Sequence, residues 1–497
     1  MRKLMPARYT IASVVCSFGG ILLGMDMSII GPVTVMTSFT NQFGEHSSVV
    51  HGIIVSSILL CAAVSSFFAG RPADAFGRPK ALAFGAAIFT IGAVLQASAV
   101  SLVMFAIGRV IEGFGYGLYF GTQTVYICEI APPKIRGVLT TMPQFMTCIA
   151  LVIGFFTTYG TVNIPGSLSW RLPFIITAGM STAYALANLF LLPDSPRWLT
   201  LHGRRQEADK VWDLLGVKRE DREAIEDEER SEEQVVLSQA LEEPAERTNG
   251  KHAGFADLWA RDVRRRTFLA VFMMGFLQLC GIDAVLYYAP LLFQQAGLQT
   301  QKAAFLASGV SAIVIVVTSI PATLYADKWG RRTSTIVGGF GLTITMLLIG
   351  SLYAGHAVQP RSGAGRWVVI VCIYLFCVIQ ATTWAISIKV WAPEIQPNHT
   401  RAQAISLAHG FNWVCNFFVA FICPILLAKS ASGAYFLFGG CTAIATIVSF
   451  FYMVETKGKS LDAIERAFRK QRPAGEVVMA NLGHAVAAHA QQDNKMS

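Results

Sequence analysis

Charged side chains are scarce in this chain of 497 residues. Asp, Glu, Lys and Arg make up only 14% of it, whereas hydrophobic residues make up 53%. Soluble domains usually carry about 25% charged residues, so the composition excludes an ordinary water-soluble fold. The apolar residues also form unbroken blocks of about twenty, a length that spans a bilayer as a helix. The sequence therefore predicts an all-α membrane protein.

Hydropathy predicts about twelve membrane spans. They cover residues 11–36, 50–70, 81–100, 102–127, 138–160, 172–192, 267–293, 303–325, 334–355, 367–391, 402–427 and 433–454. The first block follows a short basic tail directly and is too long for the apolar core of a cleavable signal peptide. We therefore expect it to stay in the bilayer.

Several motifs that are typical of enzymes and of metal- or nucleotide-binding proteins are missing. No C-x-x-C spacing occurs, and none of the ten cysteines falls in a predicted outside loop, so we expect small buried hydrophobes. We find no nucleophile–base set, no metal-ligand cluster and no nucleotide-binding or ATP-binding loop. The sequence therefore predicts a protein that is not an enzyme and needs no cofactor or metal.

The net charge of +9 is explained by topology better than by nucleic-acid binding. Basic residues concentrate in the loops after predicted spans 2, 4 and 8 and after span 12. An excess of Lys and Arg marks the cytoplasmic side, so both termini are expected there. These residues are Arg71, Arg78, Lys80, Lys134, Arg136, Lys328, Arg331, Arg332, Lys457 and Lys459.

Two sequence patterns occur once in each half of the chain. The pattern D-x-x-G-R spans Asp74–Arg78 and returns at Asp327–Arg331, each time between two apolar blocks. The pattern E-I-x-P-x-x-x-R spans Glu129–Arg136 and returns at Glu394–Arg401. Internal repeats of membrane helices are typical of secondary transporters.

The repeat predicts four regions. They are a six-helix half at 1–198, a cytoplasmic linker at 199–266, a second six-helix half at 267–455 and a cytoplasmic tail at 456–497. The linker is rich in charge and is expected to hold short helices such as Arg205–Leu215. Asn398 matches a glycosylation pattern, but this topology places it in a cytoplasmic loop, so we expect it to stay unmodified.

Further motifs lie in a fixed order along the chain. They are Gly108-Arg109, Pro193-Asp-Ser-Pro-Arg-Trp-Leu199, Gly281-Ile-Asp-Ala-Val-Leu-Tyr-Tyr288 and Val454-Glu-Thr-Lys-Gly-Lys-Ser-Leu461. With the two D-x-x-G-R loops, they make the chain resemble the sugar porter branch of the major facilitator superfamily, its fungal members in particular. The resemblance implies a twelve-helix fold that works as a monomer by alternating access.

The repeated acidic and basic residues suggest a gate on the cytoplasmic side. Their charges lie at helix ends, where pairs that form in only one state shift the balance between states. The alternative is that these charges only keep the loops in water. The candidate gating residues are Asp74, Arg78, Glu129 and Arg136 in the first half, and Asp327, Arg331, Glu394 and Arg401 in the second.

Asp26 is a carboxyl group midway along an apolar helix, where an ionisable side chain is costly and usually functional. The resemblance places Arg109 near it and makes the aspartate the proton acceptor of proton-coupled members. The alternative is a fixed buried ion pair. Glu112 lies one turn after Arg109, where the family usually has a small or apolar residue. It can compete for Arg109, relay the proton or neutralise the arginine, and the sequence leaves these open.

The substrate site implied by the resemblance matches only in part. Gln144, Gln278, Asn412 and Trp413 fall on family positions and supply the amides and the aromatic face that a sugar ring needs. Asp283 stands where the family has asparagine, Leu277 replaces a glutamine, and Lys389 falls on the family's tryptophan. Lys389 can pair with Asp283, select an anionic substrate, or extend to the cytoplasmic edge of the membrane.

Three functions follow from these residues. The first is proton-coupled uptake of a monosaccharide or polyol, with the plasma membrane as the expected location. The second keeps the fold but moves an acidic sugar, an organic acid or a secondary metabolite, in either direction. The third is a nutrient receptor that signals without transport; such receptors usually carry a long cytoplasmic tail, which is short here. The expected partners are substrate, protons and lipid, with no nucleic acid.

Overall fold

The computed structural model describes residues 7–222, 257–260, 263–298, 300–325, 329–358, 363–397 and 400–458. Within these ranges the chain is helical and contains no strand. Twelve helices are long and apolar enough to cross a membrane, as predicted. Spans 1 to 12 are Arg8–Thr34, Ser48–Ser66, Arg78–Ala97, Leu102–Ile130, Ile135–Thr161, Leu168–Leu191, Arg264–Tyr287, Gln301–Ala322, Arg331–Ala354, Gly365–Glu394, Gln403–Lys429 and Ala431–Tyr452.

Short helices join the spans. The predicted linker helix Arg205–Leu215 is present with those bounds, and Gly216 ends it in a left-handed conformation with φ of 73°. The others are Thr37–Phe43, Gly70–Phe76, Pro196–Leu201 and the 3-10 turn Asp257–Trp259. Most of the linker, the tail beyond residue 458, and Asp327 and Asn398 lie outside the described residues.

Three spans are interrupted, although hydropathy predicted them as continuous. Span 7 consists of Arg264–Leu279 and Ile282–Tyr287, and the short helix Ala289–Gln295 follows it. Gly281 has a φ of 90°, and a Cβ there would lie 2.8 Å from Phe438 Cγ, so the break favours glycine. Span 10 is broken at Thr383 and span 1 at Phe18. The breaks escape hydropathy because the flanking residues are equally apolar.

Close backbone contacts hold the helices of each half together. A Cβ on Gly92 of span 3 would lie only 2.5 Å from Glu112 N of span 4, and one on Gly24 of span 1 would lie 2.3 Å from Thr147 O of span 5. Membrane helices associate through such small residues, because lipid gives no hydrophobic drive for helix pairing. These contacts pair span 1, which carries Asp26, with span 5, and span 4, which carries Arg109 and Glu112, with span 3.

The two halves touch closely at the end that lies away from the D-x-x-G-R loops. A Cβ on Gly31 of span 1 would lie 1.7 Å from Tyr287 O of span 7, and one on Gly52 of span 2 would lie 2.4 Å from Phe421 O of span 11. Gln301 at the start of span 8 donates to Val35 O at 2.8 Å. In this conformation the halves therefore meet firmly at that end.

Candidate transport site

Asp26 and Arg109 form a buried ion pair between spans 1 and 4. Arg109 Nη1 lies 2.7 Å from Asp26 Oδ1, and Nη2 lies 3.3 Å from Oδ2. The exposed fractions of the two side chains are 2% and 0%. Arg109 Nη2 also donates to Val55 O of span 2 at 3.1 Å, so one guanidinium holds three helices together. The family resemblance placed Arg109 near Asp26, and the two side chains are in contact in the structure.

Glu112 is fully buried one turn from Arg109 but is not hydrogen-bonded to it. Its Oε2 accepts a hydrogen bond from Gln96 Nε2 of span 3. Its Oε1 has no hydrogen-bond partner among the described residues, and neither does Arg109 Nε. The second carboxyl group therefore belongs to the same buried cluster, held by an amide that the sequence analysis did not select.

The predicted substrate residues from the two halves meet between spans 5, 7, 10 and 11. Lys389 Nζ of span 10 donates to Gln144 Oε1 of span 5 at 3.2 Å, which joins the two halves. Gln278 Nε2 of span 7 donates to Asn412 Oδ1 of span 11 at 3.2 Å. Asn412 Nδ2 in turn donates to Met274 O at 2.6 Å, which fixes the amide orientation.

Trp413 brings an aromatic face to this region. Its ring packs edge-on against Tyr116 of span 4, with centroids 5.4 Å apart, and lies 6.3 Å from Phe120. Tyr116 is fully buried, and its hydroxyl has no partner among the described residues. The predicted aromatic residue thus lies at the boundary of the halves, with a buried phenol beside it.

The structure disfavours two of the three interpretations of Lys389. The side chain does not extend to the membrane edge, because Gln144 lies about three turns into its helix. It also makes no ion pair with Asp283 among the described residues, although the two interact electrostatically. Asp283 is 4% exposed, and its Oδ2 lacks a hydrogen-bond partner in that part of the chain. Lys389 therefore points between the halves.

Sequence reasoning missed His409. This residue lies on span 11 one turn before Asn412, is exposed to solvent and interacts electrostatically with Lys389. Its spacing of three residues from Asn412 places both on one helix face, which is the signal that could have identified it.

The candidate gating residues pair within each half. Arg78 binds Glu129 through Nη2 at 2.9 Å and Asp74 through Nη1 at 3.1 Å. Arg331 binds Glu394 at 3.3 Å. Arg401 Nη2 donates to Gln396 O at 3.3 Å, and Arg136 lies in the first turn of the helix Pro133–Thr161 that forms span 5. The two glutamates are therefore each bound by the arginine of a D-x-x-G-R motif.

Each D-x-x-G-R glycine also lies against an acidic residue of a later motif. A Cβ on Gly77 would lie 2.9 Å from Asp194 Oδ1, and one on Gly330 would lie 2.3 Å from Glu455 Oε2. Glu455 accepts hydrogen bonds from the backbone N–H groups of Arg331 at 2.8 Å and Arg332 at 3.1 Å. A carboxylate at a helix N-terminus is stabilising, so Glu455 caps span 9. This links the motif after span 12 to the repeated loop.

Comparison with known proteins gives consistent results over most of the chain. The family described as "Sugar (and other) transporter" matches residues 12–468. A high-affinity glucose transporter of Kluyveromyces lactis is 30% identical over 487 residues, covering 94% of this chain and 86% of the relative. The MFS-type transporter criB of Aspergillus cristatus is 30% identical, covering 92% of each chain. A probable polyol transporter 6 of Arabidopsis thaliana is 29% identical, covering 92% of this chain and 94% of that one.

Solved structures show the same fold. The xylose transporter XylE of Escherichia coli, in a partially occluded inward open conformation, matches with a TM-score of 0.73 at 23% identity, over 91% of this chain and 99% of XylE. The XylE complex with 6-bromo-6-deoxy-D-glucose matches with a TM-score of 0.72 at 24% identity, over 93% and 99%. This chain is therefore a multi-pass membrane protein that belongs to the sugar transporter family of the major facilitator superfamily.

Proposed function

We propose that this protein is a secondary active transporter that carries a sugar-like substrate together with a proton, by alternating access. The buried Asp26–Arg109 pair is the observation that carries the proposal. The relatives of this chain include glucose transporters and a probable polyol transporter, and XylE is a proton:xylose symporter. We further propose the four regions given above, cytoplasmic termini, a plasma-membrane location and a monomer.

The Asp26–Arg109 pair provides a way to couple proton and conformation. A proton on Asp26 removes the charge that attracts Arg109, so the bidentate contact weakens. Arg109 Nη2 keeps its bond to Val55 O of span 2, which holds the guanidinium when the carboxyl group is neutral. A ligand shifts a conformational balance only through different affinities for the two states. Proton binding meets this condition if spans 1 and 4 separate in one state.

The substrate residues provide the second half of the coupling. Gln144 belongs to the first half, whereas Gln278 and Asn412 belong to the second. A polyhydroxylated ring bound by all three amides bridges the halves and favours the state in which they close around it. Substrate and proton then act on the same rocking motion from two sites.

The pairs Arg78–Glu129 and Arg331–Glu394 support a gating proposal on the cytoplasmic side. The first pair joins the start of span 3 to the end of span 4, and the second joins the start of span 9 to the end of span 10. We propose that each pair moves as a rigid unit with its half. When the cytoplasmic side closes, the charged residues of one half form ion pairs with those of the other half.

The first test is uptake of labelled glucose by hexose-transporter-null yeast at acidic and neutral external pH, with Asp26→Asn beside the parent. Asn has nearly the same shape but cannot carry the proton. We expect parent uptake to rise with acidity and to fall with a protonophore. Asp26→Asn is expected to lose accumulation but to keep exchange of internal for external sugar. If parent uptake changes with neither pH nor protonophore, the protein is a facilitator and coupling at Asp26 is refuted.

A further inference from the structure

We infer that the substrate carries a carboxylate group, as a sugar acid does, and that Lys389 and His409 bind this group. The inference rests on the proposed transport of sugar-like substrates and narrows it to one chemical class. It depends on three features of the central site: the direction of Lys389, the position of His409 and the unequal exposure of the charged groups.

The bond between Lys389 and Gln144 determines which groups face the substrate. An ammonium group can only donate, so Gln144 must turn its oxygen toward Lys389. Gln144 Nε2 donates one hydrogen to Cys148 Sγ at 4.0 Å. Its second amide hydrogen and the remaining donors of Lys389 can then face the space between the halves. Both side chains are exposed to solvent although helices of both halves surround them. The site therefore presents hydrogen-bond donors, and a carboxylate accepts from donors only.

His409 adds a second group of the same kind. It approaches Lys389 from span 11, close enough for the two to interact electrostatically, and it is also exposed to solvent. An imidazole donates a hydrogen bond through a ring N–H whether or not it is protonated. A carboxylate bound at Lys389 can therefore accept a second hydrogen bond, from His409.

The acidic group of the site is in the opposite situation. Asp283 interacts electrostatically with Lys389, but it is only 4% exposed and makes no ion pair with it among the described residues. Lys389 and His409 are therefore exposed to solvent, whereas Asp283 is buried. A neutral hexose needs no such cation, whereas a charged carboxylate gains hydrogen bonds roughly twice as strong as neutral ones.

Glucose and glucuronate are the matched probes, since they differ only in a hydroxymethyl or a carboxylate group at C6. The experiment measures binding to the purified full chain by tryptophan fluorescence, and uptake of both labelled compounds into proteoliposomes. The variants are Lys389→Gln and His409→Gln. Lys429→Gln, an exposed lysine at the far end of span 11, is the control.

We expect the parent to prefer glucuronate by about tenfold or more, the scale of one charge-assisted hydrogen bond. Lys389→Gln is expected to remove this preference, His409→Gln to reduce it, and Lys429→Gln to keep it. Glucose bound as well as or better than glucuronate by the parent would overturn the inference but leave the proposed function intact. Binding of neither compound would overturn both. Since the parent alone decides between these outcomes, a variant that fails to fold does not affect the test.

Discussion

At the scale of single residues, the buried charges of the first half set the strongest constraints. Asp26, Arg109 and Glu112 all lie within the bundle with exposed fractions of 2% or less. A charge that loses its partner in such surroundings is strongly destabilising, whereas removal of both partners together costs much less. The cluster can therefore be tested for stability independently of transport.

Arg109→Gln should leave Asp26 without its counter-charge and lower stability by about 3–5 kcal/mol. Adding Asp26→Asn in the same chain should restore much of that loss. Thermal unfolding of the four proteins of this double-mutant cycle, in one detergent and at neutral pH, measures the coupling. A double variant that is less stable than Arg109→Gln alone would show that the pair does not act as a unit.

At the scale of helices, the contact between spans 3 and 4 positions the cluster. Gly92 of span 3 has no room for a Cβ, because the backbone of Glu112 on span 4 lies against it. Gly121, which also lies on span 4, has nothing within 4 Å of its ideal Cβ. The two glycines form a matched pair, because the same added methyl group meets backbone in one case and open space in the other.

Gly92→Ala is expected to lower the free energy of unfolding by about 1–3 kcal/mol, the usual cost of overpacking. Gly121→Ala is expected to be neutral or stabilising by up to about 1 kcal/mol, because alanine favours a helix. Thermal unfolding of both variants beside the parent is the measurement. An equal loss in both would mean that the close approach of spans 3 and 4 is not the cause.

The start of span 9 depends on a residue far along the chain. Glu455→Ala removes the acceptor for the N–H groups of Arg331 and Arg332 and should cost about 0.5–2 kcal/mol, the range of N-cap losses. Glu207→Ala removes an exposed surface pair with Arg204 and should cost almost nothing. Hydrogen exchange at the first turn of span 9 should rise only in the Glu455 variant. If hydrogen exchange at this turn is unchanged in Glu455→Ala, Glu455 does not cap span 9.

At the scale of the whole molecule, the two halves meet at one end and leave Lys389, Gln144 and His409 in solvent nearer the other. Alternating access requires the closed end to open, so the contacts of Gly31 and Gly52 must separate during each cycle. A bulky side chain at either position acts as a wedge between the halves.

Gly52→Trp is therefore expected to stop uptake without preventing folding, because a Cβ alone would lie 2.4 Å from Phe421 O. Hydrogen exchange should rise where spans 2 and 11 meet. Gly160→Trp near the end of span 5, where nothing lies within 4 Å of an ideal Cβ, should transport like the parent. If Gly52→Trp takes up substrate like the parent, transport does not require spans 2 and 11 to come together at Gly52.

The sequence alone determined the class of the protein, its twelve spans, its repeat and the Asp26–Arg109 pair as an expectation. The class, the spans and the repeat depend on hydropathy, length and local motifs, and so can be read without a fold, whereas the pairing of Asp26 with Arg109 was expected from the family resemblance. Only the tertiary structure decided the side-chain partners. Glu129 is held by Arg78, Glu112 by Gln96, and Lys389 by Gln144, 245 residues away.

The reason is that a span with apolar residues on every side gives no signal of how it is rotated in the bundle. His409 and the direction of Lys389 depend on that rotation, and so does the exposure that separates them from Asp283. The helices of spans 7 and 10 are interrupted at Gly281 and Thr383, so the helical period of 3.6 residues does not continue across either position. The sequence determined which chemical groups enter the membrane, and the fold decided which of them face the substrate.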